Sequence, residues 1–159
     1  MAVGGTFQFR VELDRKTFGR LDKALRVLGE TDAPFLRAAL EDVGSRFASE
    51  IRSRAPGGIA GQVGQPVIKG KLGQLKSVGA VRHPGSRSME FGRVWYRSGY
   101  TVVNHKFVGG TKVKRRGQTA RPFVGVIKGD AATAATQPYA RERLTEAVER
   151  EWDRIGKEG

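Results

Sequence analysis

Three features of the sequence predict an α+β domain. They are an alternating strand pattern near the N-terminus, amphipathic helical patterns at both ends of the chain, and a glycine-rich, turn-punctuated stretch between them. The expected order is an N-terminal strand and two helices, a central antiparallel glycine-rich sheet with a long basic loop, and a C-terminal helix. At 159 residues the chain is expected to form a single domain over 1–159. Within it, 6–55 form the strand plus helices, 66–128 the basic sheet and loops, and 137–156 the C-terminal helix.

Phe7, Phe9, Val11 and Leu13 alternate with Gln8, Arg10 and Glu12, the period of a half-buried strand over 6–13. Asp14 is placed to cap a helix whose apolar stripe is Phe18, Leu21, Leu25 and Leu28, with Gly29 as its stop. Asp32 is the next capping candidate, with Pro34 just inside the helix it introduces. Leu36, Leu40, Val43, Phe47 and Ile51 then mark one face of a helix to about Arg54, ended by Ala55-Pro56-Gly57-Gly58. Its other face carries Arg37, Glu41, Asp42, Arg46, Glu50 and Arg52, a solvated surface that asks for no chemistry.

Short strands are expected around Val78–Val81, Ser88–Tyr96, Tyr100–Asn104 and Ala120–Lys128. The connections are too short for helical crossovers, so the pairing should be antiparallel. Residues 105–119 read as an exposed basic loop. A last helix is expected from Gln137-Pro138 to Ile155, with Tyr139, Leu144, Val148, Trp152 and Ile155 along one side.

The charge is localised. The window from Pro66 to Lys128 holds fourteen Lys and Arg against one acid, Glu90, and its net of +13 equals that of the whole chain. The flanks are neutral, so the middle is a field aimed at something acidic while the ends build a scaffold. Fourteen of the 22 glycines fall between Pro56 and Val126, in the same region. Cysteine is absent, which removes disulfides and thiolate metal sites. The N-terminus has no signal-peptide pattern and no apolar run reaches bilayer length, so a cytoplasmic start and no membrane contact are expected.

Catalytic patterns are missing. His83 precedes Pro84-Gly85 as a turn residue, and His105 beside Lys106 suits a phosphate contact better than a metal. Glu90 stands alone, so paired-carboxylate chemistry is not available in the basic window. No nucleophile elbow and no phosphate-binding loop occur. The chain is expected to be neither an enzyme nor a cofactor protein.

Two readings of the basic segment follow. In the first, Lys112, Lys114, Arg115 and Arg116 neutralise phosphates while Trp95, Tyr96, Tyr100 and Phe107 stack on bases, as in a small basic nucleic-acid-binding protein. No zinc-finger, RNP-type or Gly-x-x-Gly motif accompanies them. In the second, the segment docks on acidic protein neighbours or lines a channel in an assembly.

Several motifs in order favour the second. Arg52-Ser53-Arg54-Ala55-Pro56 ends the long helix; Gly70-Lys71-Leu72 is followed by Ser77-Val78; Glu90-Phe91-Gly92 comes next; and Ala120-Arg121-Pro122-Phe123-Val124 precedes the last helix. Over nearly its whole length the chain resembles the tail-completion and head–tail joining (neck, tail terminator) proteins of long-tailed bacteriophages. It departs from the pattern at Tyr96–Gln118, which is longer and more basic than expected.

The resemblance implies a non-enzymatic virion protein, assembled in the host cytoplasm, that forms a ring of six subunits at the head–tail junction. Its implied partners are further copies of itself, the tail tube protein, the portal, adaptor and stopper proteins of the neck, and genomic DNA passing non-specifically through the lumen. A ring needs two different complementary faces per subunit, and edge pairing would let the sheet continue between subunits. The candidate docking or DNA-facing residues are His105, Lys106, Lys112, Lys114, Arg115 and Arg116. The family-like motif residues are Glu90, Phe91, Gly92, Arg121, Pro122 and Phe123.

Overall fold

In the computed structural model, which describes residues 7–30, 32–92, 100–103, 106–109 and 119–158, the alternating N-terminal segment forms strand β1 (Phe7–Glu12). It pairs antiparallel with β3 (Lys76–Val81), in a register running from Phe7 opposite Val81 to Glu12 opposite Lys76. Strand β2 (Val67–Lys69) pairs with the other side of β3, giving the order β1-β3-β2. A second sheet is the antiparallel pair β4 (Tyr100–Val103) and β5 (Lys106–Gly109). The α+β class and the antiparallel pairing are as expected.

Helix α1 (Arg15–Val27) begins where the capping pattern places it: the Lys16 N–H approaches Asp14 Oδ1 at 3.4 Å, and the Phe18 N–H donates to the Asp14 carbonyl at 2.9 Å. It ends in a Schellman turn, with Gly29 at φ +77°, Gly29 N–H bonded to the Arg26 carbonyl and Glu30 N–H to that of Leu25. Helix α2 (Pro34–Arg54) is the core element, burying Leu36, Leu40, Val43, Phe47 and Ile51. Each such side chain contributes about 1.5–3 kcal/mol when removed from water. The expected cap at Asp32 is corrected. The helix starts from Ala33 without a side-chain cap, because Asp32 turns its Oδ1 to the Ala33 N–H and to the Arg37 guanidinium. That Arg37 hydrogen bond holds the Asp32 carboxyl below its ordinary range. A single helical turn, α3 (Gly57–Ala60), follows.

Three further expectations change. Residues Ser86–Phe91 form a short helix, α4, not the start of a strand over 88–96, and 93–96 lie outside the described residues. The turn at His83-Pro84-Gly85 sets this up: the Ser86 N–H and hydroxyl both donate to the His83 carbonyl, and Met89 N–H donates to that of Gly85. Ala120–Lys128 is not a strand, because its amides are taken by a side chain. Within the expected loop 105–119, Lys106–Gly109 pairs as β5, while His105 and 110–118 lie outside the described residues.

Helix α5 (Ala131–Glu158) starts six residues before the expected point and carries Pro138 inside it. Proline lacks the N–H that would reach the Ala134 carbonyl, and Ala134 is exposed, so water can satisfy that group. The face that α5 turns inward also differs from the aromatic stripe. Leu144, Val148 and Ile155 do pack on the core, whereas Tyr139 and Trp152 stand exposed. The most buried positions are Ala132, Thr136, Ala147 and Glu151. Small side chains let α5 lie close against α2, which large aromatics would hold apart. Ion pairs fasten the flank: the Arg143 guanidinium grips Asp42 Oδ2 at 2.9 and 2.7 Å, and Arg154 reaches Glu151, Glu158 and Glu30.

The core has two lobes. One gathers Phe9, Phe47, Ile51, Ile59, Val63, Val81, Phe123 and Val124; the other gathers Phe18, Leu21, Leu25, Leu36, Leu40, Leu72 and Leu75. In the first lobe the Phe9 ring lies over its cross-strand partner Gly79, where an added Cβ would stand 2.2 Å from ring atoms. Gly79→Ala is expected to cost about 1–3 kcal/mol by overpacking. Phe9→Leu in the same chain should recover part of that loss, read as the urea unfolding midpoint of the double variant against the two single ones. A Gly79→Ala midpoint equal to wild type would contradict this packing.

Candidate functional site

The Glu90 carboxylate, 3% exposed, accepts four backbone hydrogen bonds. Oε2 receives the N–H groups of Phe123 and Val124 at 2.9 and 3.0 Å; Oε1 receives those of Gly125 and Val126 at 2.8 and 2.9 Å. Four successive amides curl around one anion, a backbone nest. Burying a carboxylate is costly unless its lone pairs are filled, and here each oxygen has two charge-assisted donors. The curl requires Gly125 at φ +83°, where a Cβ would also collide with the Asp130 carbonyl.

The carbonyl side of the same loop is used as well. Phe123 accepts from the Ala132 N–H, and the Val124 carbonyl accepts both the N–H and the hydroxyl of Thr133. These are first-turn donors of α5, which have no partner inside their own helix. The loop is therefore fixed on one side by α4 and on the other by α5. Nearby, the Arg121 N–H donates to the Met89 carbonyl at 2.7 Å. The aromatic rings close the assembly: Phe7 of β1 meets Phe91 edge-on at 6.0 Å and Phe123 at 6.1 Å.

The Glu90-Phe91-Gly92 and Arg121-Pro122-Phe123 motifs, which start 31 residues apart, are thus one structural unit. Glu90 is the anion, Phe123 its buried anchor, Phe91 a half-exposed ring beside them, and Gly92 ends α4 at φ +76°. Arg121 and Pro122 are exposed at the approach. Glu90 stood out in the sequence as the lone acid of a basic window, but its burial and its amide partners had no local signal. Of the basic candidates, Lys106 opens β5; His105, Lys112, Lys114, Arg115 and Arg116 lie outside the described residues. His83 is a turn residue, its Nδ1 accepting the Gly85 N–H at 3.0 Å.

Chemically the unit is a clamp. Its effect is to hold the two ends of the segment 92–120 together. That segment carries Arg93, Arg97, Lys106, Lys112, Lys114, Arg115 and Arg116 and no acid. Among the described residues no cluster of three or more His, Cys, Asp or Glu side chains could hold a metal ion, and no helix is long and apolar enough to cross a membrane.

A groove of about 600 Å³ runs between β1 and α5, lined by Gln8–Val11, Val124–Val126, Thr133, Thr136 and Ala140. It adjoins a second of about 630 Å³ that continues past Leu13 and Phe18 to Leu144, Val148 and Trp152. No protein-family model matches the chain, and no curated protein or solved structure matches it either.

Glu90→Gln tests the clamp. An amide puts an NH2 group against two N–H donors, so two buried bonds are lost and donors face each other. A loss of about 3 kcal/mol or more is expected. Hydrogen exchange should speed selectively at the amides of Phe123–Val126. Exchange rates and an unfolding midpoint equal to wild type would exclude the clamp.

Proposed function

We propose that this chain is a structural protein of a tailed-phage virion, forming a six-subunit ring at the head–tail junction that completes or terminates the tail and joins it to the capsid connector, with DNA passing through the lumen. The observation that carries the reading is the Glu90 clamp. It makes one unit of two of the motifs that carry the resemblance to tail-completion and head–tail joining proteins, the clearest of them, Arg121-Pro122-Phe123, among the two. It also ties down both ends of a segment that bears seven cations and no acid. A scaffold that presents such a segment from a fixed base suits docking on acidic neighbours, where complementary charge sets approach and register.

The run Lys112, Lys114, Arg115, Arg116 is assigned to axial contact with the tail tube or with the portal, adaptor or stopper side of the neck. A strongly adhesive lumen would retard DNA movement, so contact with the genome is loose and salt-sensitive in this reading. The same charge favours a second reading, a small basic nucleic-acid-binding protein, whose pI near 10.7 fits that footprint.

The experiment is charge reversal of Lys112, Lys114, Arg115 and Arg116 to Glu in the phage that encodes the chain. The purified variant should keep the wild-type circular dichroism while joined particles, counted by negative-stain microscopy, give way to separate heads and tails. Normal joining and infectivity would overturn the docking reading. Duplex and single-strand binding over a salt series separates the alternative, since tight binding at physiological salt with a steep salt slope would promote it.

A further inference from the structure

The flanks of the basic middle are neutral in sum, yet the fold sorts their charge onto two helices. On α1 the ion pair among the described residues uses Arg26, which meets Asp22 at 2.9 Å. Arg15, Lys16, Arg20 and Lys23 are exposed and enter no ion pair among the described residues. Phe18, Leu21 and Leu25 take the buried side, so these cations share the solvent side. Lys16, Arg20, Lys23 and Val27 recur at spacings of four, three and four, which makes one outward stripe.

Helix α5 carries the counterpart. Glu142, Glu146, Glu149 and Asp153 recur at the same spacings of four, three and four, on the side away from buried Ala147 and Glu151. Glu146 meets Arg143 at 3.3 Å; Glu142, Glu149 and Asp153 are exposed and enter no ion pair among the described residues. Each stripe is bordered by exposed apolar side chains, Val27 and Leu28 on α1 and Tyr139 and Trp152 on α5.

Gly19 lies within the cationic face. A glycine inside a helix weakens it relative to alanine. A Cβ added here would meet nothing within 4 Å, so no packing among the described residues calls for the missing side chain. Close approach of something from outside does call for it.

We propose that the outer face of α1 in one copy docks antiparallel on the outer face of α5 in a second copy. Lys16 meets Asp153, Arg20 meets Glu149 and Lys23 meets Glu146; the Trp152 ring covers Gly19, and Val27 and Leu28 reach Tyr139. Charge complementarity and equal spacing select this occupant. A parallel approach would match the stripes equally well. At about 100° per residue, however, it turns Arg15 and Gly19 toward Arg143 and Arg150, where like charges repel.

Exposed ion pairs contribute little singly, so affinity between free copies is modest and depends on the stripe as a whole. At ~0.1 M salt the Debye length is about 10 Å, which screens the distant cations of the middle segment and leaves touching faces attracted. The two faces differ, so the contact is head-to-tail and uses no backbone pairing. The inference deepens the ring reading by naming its two faces and rests on it only for closure of the ring. Its test reads association of the purified chain, so either can fail without the other.

Two charge variants at exposed positions provide the test. One carries Lys16→Glu, Arg20→Glu and Lys23→Glu; the other carries Glu142→Lys, Glu149→Lys and Asp153→Lys. Sedimentation velocity of the wild type up to ~0.5 mM in ~0.1 M salt should show association that ~1 M salt abolishes. Each variant alone presents like charge on both faces, and its association should weaken ~10-fold or more. An equal mixture should recover it, because each variant's altered helix then fits the other's. Gly19→Gln should fold at least as stably as the wild type and associate ~10-fold more weakly. A monomeric wild type, a variant that associates like the wild type, or a mixture that stays apart would each overturn the proposal. So would loss of duplex DNA binding in the α1 variant with association unchanged, which would make that face a DNA site.

Should a charge variant lose its circular dichroism, the unaltered chain decides. Zero-length carbodiimide coupling of mixed 14N- and 15N-labelled copies should join Lys16 of one isotope to Asp153 of the other. No such mixed peptide, or Lys16 joined to Glu142 instead, overturns the proposal.

Discussion

The fold turns on one buried carboxylate. Glu90 holds four successive amides of Phe123–Val126, and the carbonyls of the same loop receive the first donors of α5. A segment with both sides of its backbone satisfied needs no neighbouring strand, which is why an apolar run rich in Val, Phe and Ile folds as a curl. The position of the last helix depends on it too, since the loop hands α5 its starting point. Helix α5 then packs its small-residue face on α2 and closes the second lobe of the core.

The clamp also separates two regimes of the molecule. On one side lies a body whose helices and three-stranded sheet share two apolar lobes. The segment 92–120, rich in cations and aromatics in its sequence, is tied at its ends by one carboxylate and one backbone bond. Burial of the anion gives the tie a stiffness that a surface ion pair would lack, because any opening exposes four donors and a carboxylate together. In the proposed ring reading, a fixed base of this kind would let each copy hold a neighbour without disturbing its own fold. In the nucleic-acid reading the same base would merely anchor a binding loop.

Periodicity alone determined β1, α1 with its Asp14 start and Gly29 stop, α2 with its five-residue apolar stripe, and the antiparallel α+β class. These are local: each depends on side-chain spacing and on caps within a few residues. Composition alone located all the net charge in the middle of the chain, and it marked Glu90 as that window's single acid. Tertiary structure decided the rest. Residues 120–128 became a curl because a side chain 33 to 36 residues away took the amides that a strand would have offered, while 86–91 wound into a helix behind the turn at His83-Pro84-Gly85. Helix α5 ran past Pro138 because its exposed turn tolerates a missing bond, and it turned alanines inward because closeness to α2 outweighed aromatic bulk. Residue spacing can report what a segment prefers, but not which distant group will claim its backbone; that partnership exists only once the chain has folded.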